Sequence, residues 1–390
     1  MQEICELCGS DALESVYTPE RSARGISVHI CGRCGLVQSL PRADRAPRAA
    51  PAVSSGADWG NVRYGKGFRS KIAVDAVLRH CDPQAALSLL DVGSNRGSFA
   101  HALLGAAPQA HITAIEPDER VAQSCAGLQR IELHVARIED TPLETSRFDV
   151  VHSSHTVEHL AHPAHVLDDH RRTLKSGGVL VLDAPNIAIL GADDIVEEWF
   201  IDKHLYHFSE RTLSRLVAAA GFSIVERPDR DDAANLFLVA RKTGAAGEPA
   251  GADPQEVEKA YDLISSYVAT RAHNLAALTA VAAELHALAP KGVAIWGAGR
   301  IFDSLVVHGR FDARALRLLI DKHLKPHVGE RHGCALAAPE ELVRAKPGVI
   351  VVMSRGFADE IAAEARKFAP AAEILLYTDL LSRARTHLAA

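Results

Sequence analysis

The segment Leu89-Leu-Asp-Val-Gly-Ser-Asn-Arg-Gly-Ser-Phe99 constrains this chain most, because an apolar run stops at two spaced glycines and a helical pattern begins. Gly93 and Gly97 let the backbone turn sharply where a strand ends and leave room for a ligand against it. A dinucleotide turn, G-x-G-x-x-G, asks for glycine where Asn95 stands. Glu116 closes the next apolar run, Ile112-Thr-Ala-Ile115, where a carboxylate can accept hydrogen bonds from both hydroxyls of a ribose. Two further runs, Phe148-Asp-Val-Val-His152 and Val179-Leu-Val-Leu-Asp183, read with Ser88-Leu-Leu-Asp-Val92 as strands buried on both faces. Helical periodicity lies between them, so residues 64–242 predict a doubly wound α/β sheet.

With no pyrophosphate to cradle, the D-x-G-x-x-x-G turn from Asp91 to Gly97 suits the aminoacyl end of S-adenosylmethionine (SAM), with Glu116 on its ribose. A third strand is expected at Leu133-His-Val-Ala136. The loop after it offers Ile138 as an apolar wall for adenine, and either Glu139 or Asp140 for the adenine amino group. The stretches Phe148-Asp-Val-Val-His-Ser-Ser-His-Thr-Val-Glu-His159 and Leu174-Lys-Ser-Gly-Gly-Val-Leu-Val-Leu-Asp-Ala-Pro-Asn186 resemble the fourth and fifth strands of class I methyltransferases. That resemblance implies that His155 lies beside the methionine moiety of SAM. His155-Thr-Val-Glu-His159 also spells H-x-x-E-H, but the context a zinc peptidase needs is missing. The histidines at 152, 155, 159, 162 and 165 read mostly as polar helix surface and loop.

Four of the seven cysteines fall in two C-x-x-C knuckles, Cys5-Glu-Leu-Cys8 and Cys31-Gly-Arg-Cys34, with residues 9–30 between them. Four thiolates at this spacing close on Zn²⁺ as a structural site, and Gly9, Gly32 and Gly35 suit the tight turns. Cys81, Cys125 and Cys334 read as simple buried residues. A chain of 390 residues predicts two or three domains. Residues 1–40 form the zinc-binding module and 41–63, rich in Pro, Ala and Arg, a linker. After the α/β domain, residues 254–289 read as a helical connector. Its stripe, Val257, Tyr261, Ile264, Val268, Leu275, Leu278, Val281, Leu285 and Leu288, suits packing between flanking domains, with dimerisation as the alternative. Residues 290–390 read as a second, smaller Rossmann-like domain opening on Trp296-Gly-Ala-Gly299. There Asp321 either reaches a nucleotide ribose or belongs to a degenerate unit that only shapes a substrate cleft, the reading preferred here because a lone glycine pair is weak evidence.

The net charge, 43 − 49 = −6, argues against a nucleic-acid-coating protein. No run of 18 apolar residues suggests a membrane span, and the start lacks a signal-peptide pattern, so the cytoplasm is the expected compartment. Methyl transfer to a protonated acceptor needs a base in reach. The densest candidate segment is Trp199-Phe-Ile-Asp-Lys-His-Leu-Tyr-His-Phe-Ser209. His204 is the first choice as base, since imidazole titrates near working pH, and His159 the second. A purely structural use of the segment competes, with Phe208 packing and Ser209 fitting a helix cap only loosely.

The three-part layout resembles the sugar C-methyltransferases, which act on nucleotide-linked keto-deoxysugars. The shared marks are the turn Gly93-Ser-Asn-Arg-Gly97, Trp296-Gly-Ala-Gly299, Ala338-Pro-Glu-Glu-Leu342 and Phe357-Ala-Asp-Glu-Ile361. The resemblance implies a base at His204, a second active-site histidine at His159, a tyrosine near Tyr64 and SAM as cofactor, beside the structural zinc read from the knuckles; a monomer or homodimer is expected. The chain departs from the family at Ile201, where a tyrosine is usual, and at Lys203, where a glutamate is usual. O-methylation of another small metabolite or polysaccharide precursor is therefore an alternative, as is a zinc-module RNA methyltransferase.

Overall fold

The computed structural model describes residues 3–42, 66–119, 127–228, 233–245, 247–326 and 328–389; Tyr64, Cys125 and the 43–63 part of the expected linker lie outside them. The described residues form two compact units, 3–42 with 66–190 and 200–264, and 191–199 with 265–389. The cysteine knuckles thus share one unit with the glycine turn. Among the described residues no helix is long and apolar enough to cross a membrane.

The first unit opens with strands β1 (Leu13–Tyr17), β2 (Ser27–Cys31) and β3 (Val37–Leu40). Helix α1 (Lys66–His80) leads into β4 (Ser88–Val92), α2 (Ser98–Ala106), β5 (His111–Ile115), β6 (Ile131–His134) and β7 (Phe148–Ser154). Then come α3 (Pro163–Thr173), β8 (Leu174–Pro185), β9 (Tyr206–His207), α4 (Glu210–Ala219), β10 (Phe222–Glu226) and β11 (Asn235–Lys242). Strand β6 starts two residues before the expected Leu133, because Ile131 pairs with Ile112 and carries the alternation backward. Ser209 is a full cap of α4: its hydroxyl accepts the Thr212 N–H, and the Thr212 hydroxyl accepts the Ser209 N–H. Threonine fills the place where the usual pattern has Glu or Gln, which hid the cap from the sequence.

A seven-stranded sheet runs β10-β11-β8-β7-β4-β5-β6, parallel from β8 to β6, with β10 and β11 antiparallel. Period-two alternation explains its two helical layers. Leu89 and Val150 point into one core with Ala73 and Val77 of α1 and Phe99 and Leu103 of α2. Leu90 and Val151 point into the other, with Val166 and Leu167 of α3 and Leu213 and Leu216 of α4. Burying such a leucine contributes about 2–3 kcal/mol. The second sheet, β1-β2-β3-β9, is antiparallel, so the cysteine module takes its fourth strand from residues 206 and 207.

Helix α5 (Pro254–Leu288) carries residues of both units. Its buried residues include not only Ile264, Leu278, Val281 and Leu285 but also polar Arg271 and Asn274, whereas Val268 of the expected stripe is 37% exposed. Polar side chains hold buried positions because the Asn274 amide donates to the Asp193 and Ile195 carbonyls and Arg271 faces Glu198.

The second unit continues with β12 (Val293–Trp296), α6 (Arg300–Val307), β13 (Leu318–Ile320), β14 (Glu330–Arg331), β15 (Cys334–Ala337), α7 (Leu342–Ala345), β16 (Val349–Val352), α8 (Ala358–Phe368), β17 (Glu373–Leu376) and α9 (Tyr377–Ala389). Its sheet runs β14-β15-β13-β12-β16-β17, parallel except for β14. Asp321 is occupied locally: its carboxylate accepts the N–H groups of Ala298, His323 and Leu324. Beyond β16, Arg355 is paired with Asp194 and Glu197, and Tyr377 donates to Asp194. The strand ends where a Rossmann unit would bind a nucleotide are thus engaged by the segment 191–199. Cys81 and Cys334 are partly exposed rather than buried as expected.

Candidate active site

The glycine turn follows β4, next to the central strand β7 of the seven-stranded sheet, where the strand order reverses, the usual place for a ligand crevice. Gly93, Asn95 and Gly97 all take positive φ, 71°, 50° and 73°. Two are glycines, and the third is an asparagine, the side chain that tolerates this region best. The turn is anchored to the neighbouring strand. Glu116 accepts the Asn95 N–H at 2.8 Å through one carboxylate oxygen and the Asp118 N–H at 2.9 Å through the other. Ile138, buried in a single helical turn after β6, and His155, just after β7, complete the same carboxyl edge.

Asp91 lies inside β4, 1% exposed, and its carboxylate takes the His152 Nδ1 at 2.7 Å. His152 in turn stacks on Phe99 with ring centroids 3.7 Å apart. His152 is therefore a core residue rather than helix or loop surface: β7 puts it beside β4, where a carboxylate and an aromatic ring satisfy it. His155 adopts φ 46° and bonds the Asn235 side chain at 2.7 Å through Nε2. The same nitrogen lies 3.7 Å from the fully buried Asp183, which pairs with Arg69 of α1 at 3.2 Å. Thr156 packs beneath Gly93 and donates to the carbonyls of Val92 and Ser154.

The turn Val157–His159 brings Glu158 and His159 to the segment before β9. Glu158 is 1% exposed, and its Oε1 lies 3.7 Å from His155 Nδ1 and 3.5 Å from His159 Nε2. His159 donates from Nδ1 to the Lys203 carbonyl at 2.7 Å. The rings of His159 and His204 meet edge to face with centroids 4.9 Å apart. Their neighbours are unsuited to proton transfer. Burial pushes the His207 imidazole down to about 3, and its Nε2 bonds the Ser39 hydroxyl. Tyr206 is buried, its phenol is pushed far up by that burial, and it donates to the Ala161 carbonyl. His204 is the partly exposed imidazole of the segment.

Three features of this site escaped the sequence reading. Asp202 is clasped by the cysteine module, accepting from the Ser22 hydroxyl and the Ala23 N–H, while Arg24 donates to its carbonyl. Arg69 and Asn235 reach the His155 region from distant positions. Only the topology unites such pairs, and no local pattern announces them.

The four knuckle cysteines come together as the spacing predicts. Sγ of Cys5 lies 3.5 Å from that of Cys34, Cys8 Sγ lies 3.5 Å from Cys31 Sγ, and all four sulfurs lie within 4.8 Å of one another. Gly9 and Gly35, both at positive φ, return their N–H groups to the carbonyls of Cys5 and Cys31. Four crowded thiols cannot all ionise unaided. Hydrogen bonds from Cys34 and then Cys5 hold the Cys31 thiol down at about 2, while Cys31 foremost pushes Cys5 up to about 12. A divalent cation relieves that conflict, and the buried sulfur donor set suits zinc.

Residues 64–227 match the family model described as Methyltransferase domain. The chain is 26% identical over 205 residues to a demethylmenaquinone methyltransferase of Clavibacter sepedonicus, covering 46% of this chain and 82% of that protein. It is 26% identical over 161 residues to an uncharacterized 37.1 kDa protein in transposon TN4556 of Streptomyces fradiae, covering 38% of this chain and 47%, about half the length, of that relative. An S-adenosylmethionine-dependent methyltransferase structure from Mesorhizobium loti aligns with a TM-score of 0.37 at 16% identity, over 43% of this chain and 96% of that one. Residues 64–227 are a methyltransferase domain with the class I SAM-dependent fold.

Proposed function

We propose that this chain transfers a methyl group from SAM to a small-molecule acceptor, foremost a nucleotide-linked deoxysugar. The turn 93–97 holds the aminoacyl end of the cofactor, Glu116 its ribose, Ile138 its adenine, and His155 flanks the methionine moiety. Asp91 supports the turn from inside the strand. The bound cofactor supplies an electrophilic methyl on a sulfonium. The observation that carries this reading is the anchored turn, with Glu116 joined to Asn95 at the switch point of the sheet. His204 takes the acceptor's proton, with His159 beside it. Removing such a base costs about 10²–10⁴ in rate. The resemblance adds Tyr64 to the catalytic group. Cys5, Cys8, Cys31 and Cys34 hold a structural zinc.

Calorimetric titration with S-adenosylhomocysteine, then dTDP and related sugar nucleotides added to that complex, tests the reading. Binding of both supports a nucleotide-sugar acceptor. Cofactor binding with no nucleotide response moves the acceptor to another small molecule, and no cofactor binding overturns the proposal. His204→Ala retains cofactor affinity and loses turnover; unchanged turnover removes His204 from the mechanism.

A further inference from the structure

A carboxylate that is 1% exposed needs positive charge close by. Around Glu158 two imidazoles supply nitrogen atoms, and one is held in a fixed tautomer. Because His159 donates from Nδ1 to the Lys203 carbonyl, the ring in its neutral form presents its Nε2 lone pair to Glu158. The two atoms lie 3.5 Å apart, too far for a good hydrogen bond. Metal–ligand bonds of about 2.0–2.2 Å in near-tetrahedral geometry place neighbouring donor atoms about 3.4 Å apart. His204 supplies a third atom, and one ligand atom from each of the three residues lies within 4.8 Å of the others. A histidine whose second nitrogen is fixed by a backbone carbonyl is the usual second-sphere arrangement of a metal ligand.

We infer that Glu158, His159 and His204 bind a divalent transition-metal cation of the zinc or cobalt type, at a site separate from the four thiolates. Two imidazoles and one carboxylate leave a coordination position open. An oxygen of the acceptor fits that position, a point that rests on the methyltransferase reading above. With the cation bound, His204 would act as a ligand in place of the free base it is in the metal-free reading; the metal would lower the affinity of the acceptor oxygen for its proton, and that proton would pass to solvent water.

Cobalt(II) titrated into the full-length, zinc-loaded protein, followed by calorimetry and visible absorption, tests the site. The expected result is one further equivalent of cobalt per chain, with a spectrum that lacks sulfur-to-metal charge transfer. His159→Ala, at a partly exposed side chain, and His204→Ala each weaken that binding at least about tenfold, while zinc content stays at one per chain. Glu158→Gln does the same if its melting curve matches the parent's. No binding beyond the thiolate site, or equal cobalt binding in both histidine variants, overturns the inference. S-adenosylhomocysteine titrated into the same samples separates the two proposals. Cobalt binding without cofactor binding sustains the metal site and removes the methyltransferase reading, whereas cofactor binding without cobalt does the reverse.

Discussion

The Glu116 carboxylate accepts the Asn95 backbone N–H at 2.8 Å, tying the end of β5 to the turn after β4. One side chain therefore shapes the turn, and in the function proposed above it also receives the cofactor's ribose. Glu116→Ala removes both roles. Hydrogen bonds to a charged group contribute about 1.5–3 kcal/mol, so S-adenosylhomocysteine affinity falls about 10–100-fold by calorimetry. If Glu116→Gln binds as tightly as the parent, the carboxylate serves the turn alone.

Much of the parallel sheet was legible because its strands are continuous apolar runs buried on both faces. Ser88–Val92 emerges with its expected ends, and Phe148–Ser154 extends its run by two residues. The knuckles were legible because their spacing is local. What stayed hidden was long-range. The pairing of Val37 with His207, the clasp on Asp202 and the bond from His155 to Asn235 join residues far apart in sequence. His152 closes a run that reads as a buried strand, but the partners that satisfy its imidazole there, Asp91 and Phe99, sit elsewhere in the chain.

Gly93 is confined by Thr156. Its φ is 71°, and an added Cβ would stand 2.2 Å from the Thr156 hydroxyl oxygen. Gly93→Ala adds left-handed strain and a clash, together about 2–4 kcal/mol of destabilisation in urea unfolding. Thr156→Ala removes the clash and leaves the strain. The double variant is therefore more stable than the sum of the single changes allows, by about 1 kcal/mol or more. Strict additivity would mean that the turn moves away from Thr156 at no cost.

His170 of α3 is buried, and among the described residues its Nδ1 has no hydrogen-bond partner. Burial pushes the imidazole down from 6.5 to about 4. Between those values the unfolded chain binds a proton that the folded chain does not. This contribution is therefore complete above pH 6.5 and is lost as pH falls toward 4, about 2 kcal/mol between pH 7 and pH 5. Urea unfolding at the two pH values checks this. In His170→Gln the difference shrinks by about that amount, and an unchanged difference assigns the pH response to other groups.

The cysteine module and the proposed base are joined through strand β3 and through the clasp on Asp202. β3 pairs with Tyr206 and His207, and Ser22 and Ala23 hold the Asp202 carboxylate two residues before His204. Cys31 ends β2 and Cys34 lies in the turn from β2 to β3, so a metal bound at the thiolates would brace the sheet that braces the loop. Asp202→Ala removes the clasp but leaves the thiolates and the glycine turn intact. Its cost is about 1.5–3 kcal/mol, taken from the order of the loop. Cofactor affinity therefore holds while turnover drops, and the zinc content stays at one per chain. Removing the metal with a chelator, or changing Cys8→Ser, lowers the melting temperature and reproduces the same loss of turnover. Melting curves, zinc content and cofactor titration on the three samples separate the steps. If the zinc-free protein retains full turnover, the module does not position His204, and its contact with Asp202 serves stability alone.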